Sequence, residues 1–275
     1  RLPRLLSTLR KGRFDLTVIL HANDPDAAPL AYWTGAAHRL GWQESRLAFL
    51  HTMPVKTRGR GMHCIDTQLK NLESLGIAGA GGKPEFYPTA EERAWADAFV
   101  ADRGLAGATL IGIHPFGSRT HKWWPKDNVV AQCRLMSREK GLRPVLFGGP
   151  KEYRFAKKIA AEVPGMVPAY ATGTIRESAA LMEKCAVFVS TDSGPMHIAQ
   201  ALGIPTVALF GPDDPGVTGP RAEPFKVLRE GLACAPCGQK TCDKNGECMR
   251  AISAQRVQET VDRLLTSPAL SESML

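Results

Sequence analysis

The chain has 275 residues, 44% of them hydrophobic and 23% charged, with a formal net charge of +8. That is enough chain for one large domain or two modest ones, and the composition is that of an ordinary globular protein. A run of about 18 apolar residues, the minimum for a membrane-spanning helix, is absent. The basic excess suits an anionic partner such as a nucleotide, a phosphorylated lipid or a membrane surface, and it equally fits a plain basic surface. The Lys and Arg residues are scattered and no aromatic-rich signature accompanies them, which points away from nucleic acid.

The opening Arg1-Leu2-Pro3-Arg4 carries no apolar stretch after its charges, so it does not read as a secretory signal, and it lacks an initiator Met. It is read as the start of a fragment or a processed chain. A basic, helix-like stretch precedes Phe14–Leu20 (FDLTVIL), a buried strand. From Met62 to Gly76, Leu69, Leu72 and Leu75 fall at helical spacing and Gly76 supplies a stop. The glycine-rich segment 78–83 (AGAGGK) imitates a phosphate loop, but Pro follows Lys83 and no strand leads in. Thr89, with Glu92 three residues on, predicts a capped helix through Val100.

A regular alternation follows. Strands are expected at Leu110–His114, Pro144–Phe147, Ala186–Ser190 and Thr206–Phe210, and helices at Asn128–Lys140, Lys151–Glu162, Ile175–Lys184 and Pro195–Leu202. Short continuous apolar runs separated by helices predict a parallel sheet covered on both faces. A last helix is expected at Ser253–Leu265, then a frayed tail. The predicted organisation is therefore residues 1–104 as one unit with too few elements to complete a sheet, 105–252 as a doubly wound domain, and 253–275 as a terminal helix and tail.

Ligands of open α/β sheets sit at the carboxyl ends of strands, near helix N-termini. Four segments occupy such ends. Residues 114–125 hold Ser118, Thr120, Arg119 and Lys122, groups suited to a diphosphate, though the segment also reads as a surface loop with a Trp anchor. Gly148-Gly149 precede Glu152, which could accept from a ribose hydroxyl or simply favour a helix start. Residues 190–199 place Asp192, Ser193 and Gly194 before Pro195, with His197 in the first helical turn; the amides of Ser193 and Gly194 would face an anion. Residues 210–220 carry Asp213, Asp214 and Thr218, which could meet a sugar or shape turns. A nicotinamide dehydrogenase is disfavoured, because no GxGxxG follows any strand.

These segments resemble glycosyltransferase family 9, the ADP-heptose:lipopolysaccharide heptosyltransferases. The likeness rests on STDSGPMHIAQALGIPTVALFGPDDPGVTGP (190–220), HPFGSRTHKWWPKDNV (114–129) and VLFGGPKE (145–152), with RKGRFDLTVIL and WTGAAHRLGW (33–42) resembling the N-terminal half. The resemblance implies a GT-B fold of two Rossmann-like domains, the N-terminal one incomplete here. It implies inverting, metal-independent transfer of heptose from ADP-heptose to a phosphorylated lipopolysaccharide inner-core acceptor, in the cytoplasm at the inner face of the inner membrane, with no cofactor. It places Ser118 and Lys122 on the diphosphate, Glu152 by the ribose, and Asp192, Ser193, Gly194 and His197 around sugar and phosphates, His197 in a supporting catalytic role. The family's base is an Asp in a Gly-Asp motif after the first strand. Asp15 and Asp24 stand in other contexts, so the base is expected upstream of residue 1. The alternatives are another sugar nucleotide or acceptor, or a catalytically inactive sugar-nucleotide-binding remnant.

Of seven cysteines, Cys64, Cys133 and Cys185 sit singly in apolar or helical surroundings, while Cys234, Cys237, Cys242 and Cys248 cluster. The odd total suits a reducing compartment. The cluster's spacing leaves reduced thiols, a zinc site and disulfides all open.

Overall fold

The computed structural model describes residues 2–20, 26–56, 61–78, 83–136, 141–169 and 173–266. The chain forms two compact units, Arg1–Gly82 and Lys83–Leu275. No helix among the described residues is long and apolar enough to cross a membrane.

The first unit runs α1 (Leu2–Lys11), β1 (Leu16–Val18), α2 (Ala27–Trp33), β2 (His38–Trp42), a 3-10 turn, β3 (Met53–Val55) and α3 (Cys64–Glu73). Its strands form a parallel sheet in the order β1-β2-β3, with Leu40 in register with both Val18 and Met53. Leu40 and Trp42 are fully buried, and Ile19, Ala28 and Ala31 make a small core. Asn71 of α3 is also buried and donates Nδ2–H to the Ile19 carbonyl at 3.3 Å, which ties the helix to the end of β1. Sequence reading found one of the three strands, but not its burial: β1 covers only Leu16–Val18 at the sheet edge, and Phe14, Leu16, Val18 and Leu20 are exposed. β2 begins with two polar residues and β3 contains a Pro, so neither shows an apolar run. Most of the glycine-rich segment 78–83 lies outside the described residues.

The second unit contains α4 (Ala90–Asp102), β4 (Thr109–His114), α5 (Lys126–Met136), β5 (Leu142–Phe147), α6 (Tyr153–Glu162), β6 (Val167–Ala169), α7 (Ile175–Met182), β7 (Cys185–Thr191), α8 (Gly194–Ala201), β8 (Thr206–Leu209), the short α9 (Pro215–Thr218), β9 (Phe225–Leu228), α10 (Glu247–Arg250) and α11 (Ala254–Leu265). All six strands are parallel, in the order β6-β5-β4-β7-β8-β9. In chain order within the unit this is 3-2-1-4-5-6, the doubly wound Rossmann arrangement. Side chains alternate between two cores. Ile111, Ile113, Val187, Val189, Val207 and Leu209 pack with residues of α5, α6 and α11, and Leu110, Val145, Phe147 and Phe188 with residues of α4, α7 and α8. Gly112 sits where the Phe188 ring crosses β4; a Cβ there would lie 2.3 Å from Phe188 Cδ2.

Two predicted boundaries move. The border expected at residue 104 falls at 82/83, because Ala96 of α4 is fully buried, with Trp95 and Phe99 packed against the core on this sheet. The terminal helix is no separate piece, because Val257, Val261 and Leu264 of α11 complete the opposite core. The capped helix at Thr89 is present: Thr89 Oγ1 accepts from Glu92 N–H at 3.3 Å and Glu92 Oε2 accepts from Thr89 N–H at 2.7 Å. β6 and β9 were not expected. They are the two edge strands, one of three residues with a central Pro and one with a Lys, and an edge strand needs no apolar run.

Candidate functional site

β4 continues to β5 on one side and β7 to β8 on the other, so the direction of winding reverses between β4 and β7. A crevice opens at the carboxyl ends of such a pair. His114, the last residue of β4, stands in register with Ser190 of β7. The loop after β4 and the turn into α8 therefore meet over the sheet.

Each loop is held by specific bonds. Thr191 Oγ1 donates to the Phe116 carbonyl, joining the two strand ends. Trp123 Nε1–H donates to Gly117 O at 2.8 Å and Trp124 Nε1–H to Ile252 O at 2.9 Å, so the loop after β4 is anchored at both indoles. Lys122 closes a single 3-10 turn (Thr120–Lys122), and a Cβ at Gly117 would press on Lys122 Cβ at 3.2 Å, so Gly117 permits this close fold.

Lys122 Nζ lies 2.6 Å from Asp192 Oδ2 and 2.7 Å from Asp213 Oδ2. Arg119 Nη2 lies 2.7 Å from both oxygens of Asp213. Two cations and two carboxylates thus form a neutral cluster, with Lys122 7% and Asp192 8% exposed. Burial raises the Asp192 carboxyl above its ordinary value, against the pull of Lys122. Burial also acts on Asp213, but hydrogen bonds from Arg119 and Lys122 outweigh it and hold its carboxyl down at about 2.

His114 is 8% exposed, and burial lowers its imidazole to about 4, so the ring is neutral at pH 7. Its Nδ1 lies 3.2 Å from Ser193 Oγ, which also lies 3.3 Å from Ser190 Oγ and donates to Thr191 O at 3.1 Å. These bonds fix the residue that opens α8. Gly194 at the helix start is exposed, with nothing within 4 Å of where a Cβ would stand.

A cleft of about 450 Å³ is lined by His114, Gly117, Ser118, Glu152, Ser193 and Gly194 among others. A second, of about 300 Å³, has a more apolar lining that includes Phe147, Gly149, Ile175 and Met182; it shares His114 and Pro195 with the first. Glu152 Oε2 accepts from Gly149 N–H at 2.9 Å, which sets the floor between them. Of the seven residues singled out from sequence, Ser118, Glu152, Ser193 and Gly194 line one cleft. Lys122 and Asp192 lie buried beneath it, bonded to each other. His197 is half-buried on α8 and lines neither cleft. Sequence reading gave no role to His114; it offered Arg119 to a diphosphate and Asp213 to a sugar or a turn, and did not foresee that the two pair with each other. The available signal was that Asp213, like Asp192, follows the end of a strand.

Among the described residues, no group of three or more His, Cys, Asp or Glu side chains is arranged to hold a metal ion. Cys234, Cys237, Cys242 and Cys248 are all free thiols, and Cys248 is buried, which raises its thiol.

A doubly wound sheet with a cleft at its switch point defines an α/β protein of the Rossmann class, in which ligands bind at that place. The family model described as glycosyltransferase family 9 (heptosyltransferase) matches residues 2–247, and the chain belongs to that family. It is 27% identical over 240 residues to lipopolysaccharide heptosyltransferase 2 of Salmonella typhimurium, a match covering 82% of this chain and 68% of the relative. Among solved structures, a glycosyl transferase of family 9 from Veillonella parvula matches with a TM-score of 0.81 at 24% identity, covering 96% of this chain and 78% of that one. The E. coli heptosyltransferase WaaC with ADP matches with a TM-score of 0.70 at 18% identity, again covering 96% and 78%. The fold is the mixed α/β, GT-B fold of the heptosyltransferases.

Proposed function

We propose that the chain transfers a heptose from ADP-heptose to a phosphorylated inner-core acceptor of lipopolysaccharide, with inversion at the anomeric carbon and without a metal. The observation that carries the reading is the meeting of Ser118, Glu152, Ser193 and Gly194 around one cleft at the switch point. The solved relative bound to ADP supports the nucleotide, and the family supports the sugar.

In this reading the diphosphate lies across Ser118 and the amides that open α8, where the helix dipole favours negative charge. Ser118 Oγ donates to it, Glu152 accepts from a ribose hydroxyl, and the apolar second cleft takes the base. Ser193 and Gly194 meet the phosphates from the cleft wall, the buried Lys122–Asp192 pair acts from behind that lining, and His197, which lines neither cleft, supports from α8. The acceptor hydroxyl loses its proton to a carboxylate and attacks the anomeric carbon. The bond from that carbon to the diphosphate oxygen breaks, and ADP departs with the electron pair. Charge growing on ADP is stabilised by the helix amides and by the field of the buried ammonium, more strongly in a low-dielectric site than in water. The net charge of +8 supports work beside anionic lipid, at the inner face of the cytoplasmic membrane.

Calorimetry with ADP, UDP and ADP-heptose tests the reading. It expects ADP and ADP-heptose to bind and Ser118→Ala, which removes the hydroxyl facing the diphosphate, to weaken both about tenfold, the loss of one charge-assisted hydrogen bond. Equal affinity for UDP, or no response to Ser118→Ala, would overturn it.

A further inference from the structure

A further cleft, sharing residues with the site described above, is unassigned. It holds about 640 Å³ and is lined by residues of the loop after β4, by Phe155 of α6 and by residues of the segment from Lys240 to Arg250. Four cations line it, Arg119, Lys126, Lys240 and Arg250, and none of its lining residues is acidic. Arg119 is spent on Asp213 and on the carbonyl of Gln239, and Lys126 is paired with Glu162 at 2.6 Å. Arg250 gives one Nη2 bond, 3.0 Å, to Lys244 O, whereas Lys240 has no ion pair among the described residues and is exposed, as is Arg250. Two cations at the rim thus keep donors for an external anion.

Aromatic residues line the cleft as well. Trp123 and Phe155 stand edge to face, with centroids 5.2 Å apart at 72°. The indole cannot swing, because its Nε1–H is bonded to Gly117 O at 2.8 Å. Trp123 and Thr120 line both this cleft and the 450 Å³ cleft, so one ring is the partition between two neighbouring sites. An aromatic side chain held in place gives the C–H face of a sugar a platform, and cations lining the same cleft recognise phosphate. The volume suits a phosphorylated monosaccharide and is larger than a lone phosphate needs.

We propose that this cleft, between Trp123 and the Lys240–Arg250 rim, is a second binding site, for a phosphorylated sugar. That its occupant is the acceptor rests on the transferase reading above; that it binds a sugar phosphate does not.

The test uses the full chain and tryptophan fluorescence, titrating glucose 6-phosphate, glucose and inorganic phosphate, with and without saturating ADP. Glucose 6-phosphate is expected to bind with or without ADP, at least tenfold more tightly than either glucose or inorganic phosphate. Lys240→Glu/Arg250→Glu, both at exposed positions, is expected to weaken glucose 6-phosphate at least tenfold and to leave ADP affinity unchanged. The proposal is overturned if the double variant binds glucose 6-phosphate normally, if inorganic phosphate or glucose binds equally well, or if ADP displaces the sugar phosphate. A chain that binds glucose 6-phosphate as stated but not ADP would sink the transferase reading and leave this site standing.

Discussion

Lys122 holds its charge between two carboxylates and beneath the cleft, and this decides what a substitution there does. Lys122→Ala leaves Asp192 and Asp213 facing each other with one cation fewer, and breaking a buried pair costs about 3–5 kcal/mol. Urea unfolding is expected to show a loss of that size; a change below about 1 kcal/mol would mean that the cluster is not formed in solution. Lost ADP affinity in this variant therefore does not separate ligand contact from a damaged floor, and Ser118→Ala, at a residue that lines the cleft, is the cleaner probe. The sequence offered Lys122 and Asp192 as separate candidates. It could not show them bonded, because the strands that bring positions 70 residues apart into contact are what make the pair.

At the scale of elements, start signals were legible and edges were not. Thr174 and Glu177 repeat the capping box of Thr89 and Glu92, with Thr174 Oγ1 accepting from Glu177 N–H at 3.1 Å. Thr174→Ala is expected to cost about 1 kcal/mol in unfolding experiments. Glu92 also receives Arg176 at the start of α7, so Glu92→Ala is expected to cost more than removing a cap alone. Gly112→Ala tests the contact of β4 with β7: a methyl group 2.3 Å from the Phe188 ring forces the ring to move, and about 1–3 kcal/mol is expected to be lost. An unchanged midpoint would show that Phe188 has room to turn. In the second unit the strands found from sequence are the central ones, β4, β5, β7 and β8, buried on both faces and so written as apolar runs, whereas β1 of the first unit is an edge strand with Leu16 and Val18 exposed. Those missed, β2, β3, β6 and β9, are three to five residues long, and each holds a polar residue or a Pro.

For the whole molecule, acid is the informative stress. The folded chain holds His114 at about 4, whereas the unfolded chain titrates near 6.5. As pH falls, the unfolded state takes up this proton first, so stability present above pH 6.5 is lost progressively down to pH 4, on the order of 3 kcal/mol in all. His51, also lowered by burial, adds a loss of the same sign in the first unit. Asp213, held down at about 2, gives up its share only below about pH 4. Urea midpoints measured from pH 7.5 to 4 are expected to fall, and His114→Phe should flatten the decline; an unaltered slope would place the titration elsewhere. By itself the sequence determined the alternation of strand and helix, the parallel sheet, the family and the strand ends that meet at the cleft, because each is written in local spacing or in a contiguous motif. Only the tertiary structure decided the boundary at 82/83, the burial of Lys122 between two acids, and the Trp123 partition between two clefts. Those depend on which strand lies beside which, and strand order is set by packing both faces of the sheet at once, a condition no local stretch of sequence expresses.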